Sequence, residues 1–79
     1  MTTATVYTTT TCPYCTMMKD YLDEQKIAYR EVNVQEDRQA AQELVDRTGQ
    51  MGVPQTELNG NWIFGFDPAA VQAALSEDN

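Results

Sequence analysis

Residues 4–15 carry the sequence Ala4-Thr5-Val6-Tyr7-Thr8-Thr9-Thr10-Thr11-Cys12-Pro13-Tyr14-Cys15. The first five are β-prone and predict a strand, and the threonines that follow predict a turn. Cys12 then stands at the predicted N-cap of a helix. Pro13 takes the first helical position, where its missing N–H has no intrahelical partner to lose. The stretch therefore predicts a strand-to-helix junction that carries the only two cysteines of the chain, separated by two residues.

The helix that begins at Pro13 is predicted from its apolar spacing. Its buried stripe is expected at Cys15, Met18, Tyr21, Leu22 and Gln25, four of which are apolar. Residues 27–34 are predicted to form a second strand. The packing residues of this strand are expected to be Tyr29, Val32 and Val34. Together with the first strand, these elements predict a parallel β-α-β unit with a right-handed crossover.

The middle of the chain predicts a second helix and a hairpin. Asp37 is expected to cap the helix, and Gly49 is expected to end it. The face that this helix buries is predicted at Ala41, Leu44 and Val45. Asn59-Gly60 lies between predicted strands at residues 53–58 and 61–64 and is typical of a type I′ turn, in which both residues need positive φ. These two strands are therefore predicted to be antiparallel.

A third helix completes the pattern. Asp67 is its predicted N-cap and Pro68 its first residue, while Phe66 and Val71 occupy the positions of a hydrophobic staple. The side chains expected to face inward are Val71 and Leu75. The chain end beyond Leu75 is expected to fray. The order β-α-β-α-β-β-α predicts one domain over residues 1–79. We expect an α/β, thioredoxin-like fold, a mixed four-stranded sheet covered by helices.

Composition and charge limit the classes of function. The 79 residues carry a formal net charge of −7, from 12 acidic and 5 basic side chains. Nucleic acid and anionic membrane surfaces are therefore not expected as partners, because both bind positive charge. No segment reaches the roughly 20 apolar residues of a membrane span. The first five residues lack the basic start and apolar run of a secretion signal. We accordingly expect a cytoplasmic protein, and a monomer.

Cys12 and Cys15 are predicted to exchange disulfides in unequal roles. Unpaired N–H groups and the helix dipole at a helix start stabilise a thiolate and lower a cysteine pKa from about 8.5 to roughly 3.5–7.5. Cys15 lies one turn further into the helix, where fewer N–H groups are free. Cys12 is therefore the predicted nucleophile that forms a mixed disulfide with the substrate. Cys15 is the predicted resolving thiol that releases the reduced substrate.

Three alternatives use the same two cysteines. Zinc within one chain is disfavoured, because a structural site needs four ligands and the chain offers two cysteines and no histidine. A purely structural disulfide is disfavoured because so short a loop removes little unfolded-state entropy and because cytosolic thiols are kept reduced. An iron–sulfur cluster between two chains, each giving two thiolates, stays open as a second hypothesis.

Two further segments each allow a structural and a functional interpretation. Val53-Pro54 is either an ordinary turn proline or a cis-proline loop beside Cys12. Only about 5–6% of X–Pro bonds in folded proteins are cis, so proline statistics favour the turn. Gly65-Phe66-Asp67 is either a turn, staple and cap, or a helix start that binds a substrate carboxylate. The local pattern alone favours the structural interpretation in both segments.

The chain resembles the glutaredoxin family in residues that keep the family's order and spacing. These residues are Tyr7, Cys12-Pro13-Tyr14-Cys15, Val53-Pro54 and Gly65-Phe66-Asp67. The Cys-Pro-Tyr-Cys sequence is the form found in dithiol glutaredoxins. The segment 49–54 looks similar to small glutaredoxin-like redoxins, including those that reduce ribonucleotide reductase. The resemblance implies an enzyme that reduces protein disulfides or mixed disulfides through Cys12 and Cys15.

The resemblance also implies how a substrate is held. The substrate-binding residues that it implies are Pro13, Tyr14, Val53, Pro54, Gly65, Phe66 and Asp67. It implies a cis bond between Val53 and Pro54 that packs against the active site. The Val53 backbone is then expected to pair with the bound substrate in a short strand-like contact. Asp67 is expected to lie near an amino group of the substrate.

The source of electrons is left open between two classes. The resemblance implies no tightly bound cofactor. It implies reduction by glutathione or another low-molecular-weight thiol, or by NADPH through a thioredoxin-reductase-like flavoenzyme. Thr9 occupies the position where glutathione-using relatives commonly carry a lysine, which argues against specificity for glutathione. Trp62 stands three residues before Gly65 and so does not match the tryptophan of the ribonucleotide-reductase-coupled group in register.

Overall fold

A computed structural model of the chain describes residues 3–76 and shows the predicted order of strands and helices. Within that part the elements are β1 (Thr3–Thr8), α1 (Pro13–Glu24), β2 (Ala28–Asn33), α2 (Arg38–Thr48), β3 (Gln55–Leu58), β4 (Asn61–Phe64) and α3 (Pro68–Ser76). The expected α/β, thioredoxin-like fold is confirmed. No helix in the described part is long and apolar enough to cross a membrane.

The four strands form one mixed sheet in the order β2-β1-β3-β4. β1 and β2 are parallel, whereas β3 is antiparallel to both β1 and β4. Thr8 of β1 pairs with Asn33 of β2, and Gln55 of β3 pairs with Phe64 of β4. Because Tyr7 lies opposite Gln55, these strand ends meet at one end of the sheet, which we call the Thr8 end. The loops that lead into all three helices leave the sheet there.

The main core lies between the sheet and the helices α1 and α3. Its buried members are Ala4, Val6, Met18, Leu22, Ile27, Leu58, Ile63, Val71 and Ala74. α1 buries Cys15, Met18 and Leu22, as its apolar spacing predicts. Gln25 is exposed, which corrects the predicted stripe. The helix ends at Glu24, so Gln25 serves as its C-cap and its side chain does not reach the sheet.

Two strands are shorter than predicted. β3 begins at Gln55 rather than at Val53, because Pro54 has no N–H to donate to a ladder. β2 covers Ala28–Asn33 within the predicted range of 27–34. Ile27 is buried, but its N–H donates to the Leu22 carbonyl at the end of α1 (2.9 Å), which keeps it out of the strand.

The predicted caps and turn are confirmed. The Asp37 side chain accepts from the Ala40 N–H (3.1 Å), and Gly49 ends α2 in the left-handed conformation. Asn59 and Gly60 both have positive φ, as a type I′ turn requires. Of the predicted face of α2, Leu44 is buried, whereas the other two residues are half-buried.

α3 begins as predicted and runs one residue further. Asp67 Oδ1 accepts from the Ala70 N–H (3.1 Å), which satisfies one free donor of the first turn. Phe66 and Val71 both belong to the core between α3 and the sheet. Leu75 is half-buried and packs against that core. Ser76 belongs to the helix, where its hydroxyl donates to the Gln72 carbonyl, so its predicted fraying is wrong. The rest of the predicted frayed end lies outside the described residues.

Candidate active site

The two cysteines differ in how far a partner molecule can reach them. Cys12 and Cys15 are joined by a disulfide, with their Cα atoms 5.2 Å apart. Cys12 is half-buried in the loop before α1. Cys15 is only 2% exposed, because it lies on the helix face that packs against the sheet. A molecule approaching from solvent therefore reaches Cys12 more readily than Cys15.

The backbone around Cys12 favours negative charge on its sulfur. Cys12 has extended φ and ψ and is the N-cap of α1. Its Sγ accepts a hydrogen bond from the Cys15 N–H (3.1 Å), and its carbonyl accepts from the Thr16 N–H (3.2 Å). The N-terminus of a helix carries a partial positive charge. When the disulfide opens, the sulfur of Cys12 is left facing a hydrogen-bond donor and the positive end of the dipole.

The threonine turn before Cys12 is fastened to the neighbouring β2–α2 connection. The Thr10 N–H donates to Gln35 Oε1 (3.1 Å), and Asn33 Nδ2 donates to Thr10 Oγ1 (3.3 Å). The Asn33 side chain also accepts from the Gln35 N–H (2.9 Å). These contacts fix the turn at the Thr8 end of the sheet, and so fix where the chain enters α1 at Cys12.

The segments at Val53-Pro54 and at Gly65 meet at the same end of the sheet. The Val53–Pro54 bond is cis, as the family resemblance implies. The Gly65 N–H donates to the Pro54 carbonyl (2.9 Å), which extends the pairing of β3 and β4 by one bond. Gly65 has a φ of +75°, a conformation that suits glycine because it has no Cβ. Pro54 is buried and Val53 is half-buried.

Phe66 and Asp67 have structural partners of their own. The Phe66 ring packs edge-to-face on Tyr21 of α1, with ring centroids 6.2 Å apart. Asp67 is exposed but uses one carboxylate oxygen to cap α3. Both residues stand at the Thr8 end of the sheet, where α3 begins. Their predicted substrate contacts are therefore compatible with the fold, while their side chains also stabilise the start of α3.

Exposed apolar side chains lie close to the predicted site residues. Tyr14 is 61% exposed between the two cysteines, and Met17 lies one turn further along α1. Met51 is 60% exposed two residues before Val53, and Phe64 is exposed directly before Gly65. Sequence reasoning found only Tyr14 of these four. Met17 was detectable, because it is a large apolar residue that falls outside the buried stripe of α1.

Gln55 is a further residue near the site that the sequence does not single out. Its side chain is 1% exposed, and its Nε2 donates to the carbonyls of Gln50 (3.0 Å) and Gly52 (2.8 Å). It thereby contacts the loop that leads into Val53-Pro54. A glutamine at the start of a strand gives no pattern from which this contact could be predicted.

Two of the basic side chains are engaged by carboxylates. Lys19 Nζ lies 3.0 Å from Glu31 Oε2, and that carboxylate also accepts from the Thr8 hydroxyl (2.8 Å). The hydrogen bond from Lys19, followed by that from Thr8, lowers the pKa of Glu31 below its ordinary value of 4.5. On the other face of the sheet, Arg47 pairs with Glu57 (2.7 Å).

Trp62 packs beneath this second ion pair. The Arg47 guanidinium carbon lies 5.1 Å from the centroid of the Trp62 ring. The Tyr7 ring also packs against the Trp62 ring, with the two ring centroids 5.7 Å apart. Trp62 thus joins β1, β4 and α2, which gives this tryptophan a packing role away from the Gly65 turn.

A thioredoxin-like sheet with a Cys-x-x-Cys disulfide at a strand-to-helix junction defines the class of thiol–disulfide redoxins. The family model for glutaredoxin matches residues 4–63. The chain is 35% identical over 72 residues to the glutaredoxin-like 8.6 kDa protein in the rubredoxin operon of Clostridium pasteurianum, covering 91% of this chain and 96% of that protein. This chain belongs to the glutaredoxin family, whose members are thiol–disulfide oxidoreductases.

Other relatives agree with this assignment. Glutaredoxin 3 of Escherichia coli (strain K12) is 31% identical over 62 residues, which cover 78% of this chain and 75% of that protein. Among solved structures, the thioredoxin-like protein BC3987 has a TM-score of 0.83 and 28% identity, covering 90% of this chain and 97% of its own. The glutaredoxin-like NrdH-redoxin from Escherichia coli shares the fold, with a TM-score of 0.82, 22% identity and coverage of 90% and 92%.

Proposed function

We propose that this protein reduces disulfides in other proteins, with Cys12 as the nucleophile and Cys15 as the resolving thiol. The observation that carries the proposal is the position of Cys12. It is the N-cap of α1, its Sγ faces the Cys15 N–H at 3.1 Å, and it is the more exposed partner of the disulfide. A nucleophile needs this combination of access and stabilised charge.

The exchange runs in two steps that together move two electrons. The Cys12 thiolate attacks one sulfur of a substrate disulfide, and the other substrate sulfur leaves as a thiolate that takes a proton from solvent. Cys15 then loses its proton and attacks the Cys12 sulfur of this mixed disulfide. The second substrate sulfur leaves and the Cys12–Cys15 disulfide forms. The structure corresponds to this oxidised product.

The substrate is proposed to lie across the Thr8 end of the sheet. We assign the Val53 backbone to pair with an extended segment beside the substrate disulfide, as a short added strand. The other proposed substrate contacts are Pro13, Tyr14, Pro54, Gly65, Phe66 and Asp67. The bond between Gly65 and Pro54 supports this assignment, because it holds two of the contacting segments side by side.

The proposed reductant is glutathione, another low-molecular-weight thiol, or NADPH through a thioredoxin-reductase-like flavoenzyme, and glutathione is the one of these that the residues favour least. Glutathione carries two carboxylates, and this chain has Thr9 where glutathione-using relatives commonly carry lysine. Lys19 and Arg47 are engaged by Glu31 and Glu57. A buckwheat glutaredoxin with a TM-score of 0.73 and 23% identity was solved in complex with glutathione. We favour another small thiol, or NADPH through a thioredoxin-reductase-like flavoenzyme, for this chain.

The proposed setting is the cytoplasm, where a monomer without a tightly bound cofactor would recycle between partners. Disulfide-containing proteins are the proposed substrates, and ribonucleotide reductase is a candidate among them through the resemblance to the redoxins that reduce it. Mixing oxidised protein with glutathione, or with NADPH and thioredoxin reductase, and comparing the rates of reduction tests the choice of reductant. A faster rate with glutathione would contradict the preference stated above.

The cysteine roles are tested by two serine variants. Cys12→Ser should lower reduction of insulin disulfides to the uncatalysed background, because no nucleophile remains. Cys15→Ser should accumulate a covalent adduct of Cys12 with the substrate, which mass spectrometry detects. A Cys12→Ser variant with the wild-type rate would refute the proposal. Anaerobic purification with an absorbance scan tests the alternative of an iron–sulfur cluster, since a cluster would colour the protein.

A further inference from the structure

Gln55 uses its amide nitrogen to hold the loop that enters the site. Residues 50–53 form neither helix nor strand, so no ladder fixes their backbone. Both hydrogen bonds donated by Gln55 Nε2 end on this loop, at the carbonyls of Gln50 (3.0 Å) and Gly52 (2.8 Å). Gln55 itself is fixed in the sheet, where it pairs with Tyr7 and Phe64. The amide therefore links a rigid strand to an irregular loop.

The carbonyl oxygen of the Gln55 side chain argues against a role in stability alone. Gln55 Oε1 is buried and has no hydrogen-bond partner among the described residues. A buried acceptor without a partner is unfavourable for folding, and an apolar side chain of the same shape would avoid it. What the amide supplies, and an apolar side chain cannot, is the pair of donors that face the loop.

The loop held by Gln55 carries the Val53 backbone, which the proposed function assigns to the substrate, and one exposed apolar side chain beside it. Met51 lies between the two tethered carbonyls and is 60% exposed. Val53 follows Gly52 directly and offers the backbone assigned to pair with a substrate segment. The start of the loop is held separately, because Thr48 Oγ1 accepts from the Gln50 N–H (3.2 Å) while its own proton donates to the Leu44 carbonyl of α2 (2.9 Å).

We infer that Gln55 is a positioning residue for protein substrates: its buried amide fixes the 50–53 loop so that Met51 and the Val53 backbone meet an extended segment beside the substrate disulfide. This inference rests on the proposed function and adds to it the residue that selects for protein disulfides. A small disulfide has no extended segment and reaches Cys12 without the loop. The loop therefore determines binding of protein substrates, and the exchange at Cys12 is independent of it.

The test compares wild-type protein with Gln55→Met, which keeps the length of the side chain and removes both donors. Reduced protein is mixed with increasing concentrations of disulfide-bonded insulin, and a single turnover is followed. No external reductant therefore affects the measured rate. We expect the half-saturating insulin concentration to rise about tenfold, while the limiting rate and the second-order rate with 2-hydroxyethyl disulfide stay within about twofold. Backbone ¹⁵N order parameters should fall at residues 50–53.

Thr56→Val is the matched control. Thr56 is the next residue of β3, points to the other face of the sheet, is fully buried and has a hydroxyl without a partner among the described residues. Loss of the Thr56 hydroxyl leaves the contacts between Gln55 and the loop in place. The half-saturating insulin concentration, the limiting rate and the rate with 2-hydroxyethyl disulfide should therefore equal those of wild type. Wild-type insulin saturation in a folded Gln55→Met variant overturns the inference. So does an equal loss with both disulfides, because it would indicate a general effect on folding.

A second variant decides the matter if Gln55→Met does not fold. Thr48 is half-buried, and Thr48→Val keeps the shape of the side chain while it removes the hydroxyl that accepts from the Gln50 N–H. It should raise the half-saturating insulin concentration about threefold without changing the rate with 2-hydroxyethyl disulfide; no change overturns the inference. An active Cys12→Ser variant would instead refute the proposed function itself. The experiments therefore distinguish a failure of the inference about Gln55 from a failure of the proposed function.

Discussion

The two faces of the sheet are built from different kinds of contact. On the face covered by α1 and α3, Val6, Leu58 and Ile63 pack against Met18 and Leu22 in an apolar core. On the face toward α2, Trp62 packs against Tyr7 and beneath Arg47, and Arg47 pairs with Glu57. Cys15 belongs to the apolar face, and the amide of Gln55 to the polar one. The apolar face thus carries the buried cysteine of the pair, and the polar face carries the amide that we infer to position the adjacent loop.

The largest expected effect tests the apolar face. Leu22→Ala should lower the free energy of unfolding by about 2–5 kcal/mol, because it removes a fully buried side chain and leaves a cavity. Urea unfolding of the oxidised protein measures this. Met17→Ala is the control on the same helix, since Met17 is exposed, and it should change stability little. Equal losses of stability for the two variants would show that Leu22 does not pack in the core between α1 and the sheet.

An intermediate effect tests the polar face. Trp62→Ala should lower the free energy of unfolding by about 1–2.5 kcal/mol for the lost aromatic pair and cation–π contact, in addition to the loss of the half-buried apolar area of the ring. Trp62→Phe keeps a ring between Tyr7 and Arg47 and should recover most of that loss. The same urea measurement applies. If Trp62→Phe destabilised the protein as much as Trp62→Ala does, the ring contacts would not be what stabilises the polar face.

The smallest effect concerns the ion pair at the margin of the apolar face. Glu31 has a lowered pKa, so its ionised form favours the folded state. That stabilisation is present above the ordinary value of 4.5 and is lost as the pH falls through the lower folded value. Because the Glu31 side chain is 39% exposed, we expect the pair to contribute only about 0.2–1 kcal/mol.

Glu31→Gln measures this contribution. The variant should unfold at a lower temperature than wild type at pH 7, and the two melting temperatures should converge as the pH falls below the ordinary carboxyl value of 4.5 and through the lowered pKa of Glu31. Thermal melts followed by circular dichroism at several pH values record the difference. A gap that persisted unchanged in acid would show that the effect of Glu31 does not depend on its charge.

The order of elements was predictable because its signals are local. Pro13, Asp37 and Asp67 mark helix starts, and Asn59-Gly60 marks the hairpin, each through the conformation of one or two residues. The strand that was predicted to begin at Val53 begins at Gln55, because ladder bonding depends on a neighbouring strand as well as on the residue. Local signals likewise indicated Cys12 and Cys15, but the cis bond at Pro54 was expected only through the family resemblance.

The contacts that could not be predicted join residues far apart in the chain. Arg47 and Glu57 lie on different elements, as do Tyr7 and Trp62, and neither pair has a spacing that marks it. The Gln55 contact is close in sequence but depends on the path of an irregular loop. Side-chain contacts of this kind follow from the packed fold, and they account for most of what the structure adds around the cysteines.

The strand order also has a consequence for self-association. It leaves β2 and β4 at the margins of the sheet, where a free strand can pair with another molecule and begin an aggregate. β2 presents exposed Arg30 and Glu31 there, and β4 is only four residues long. Charged or very short marginal strands discourage such pairing. Both marginal strands therefore disfavour edge-to-edge aggregation of this chain.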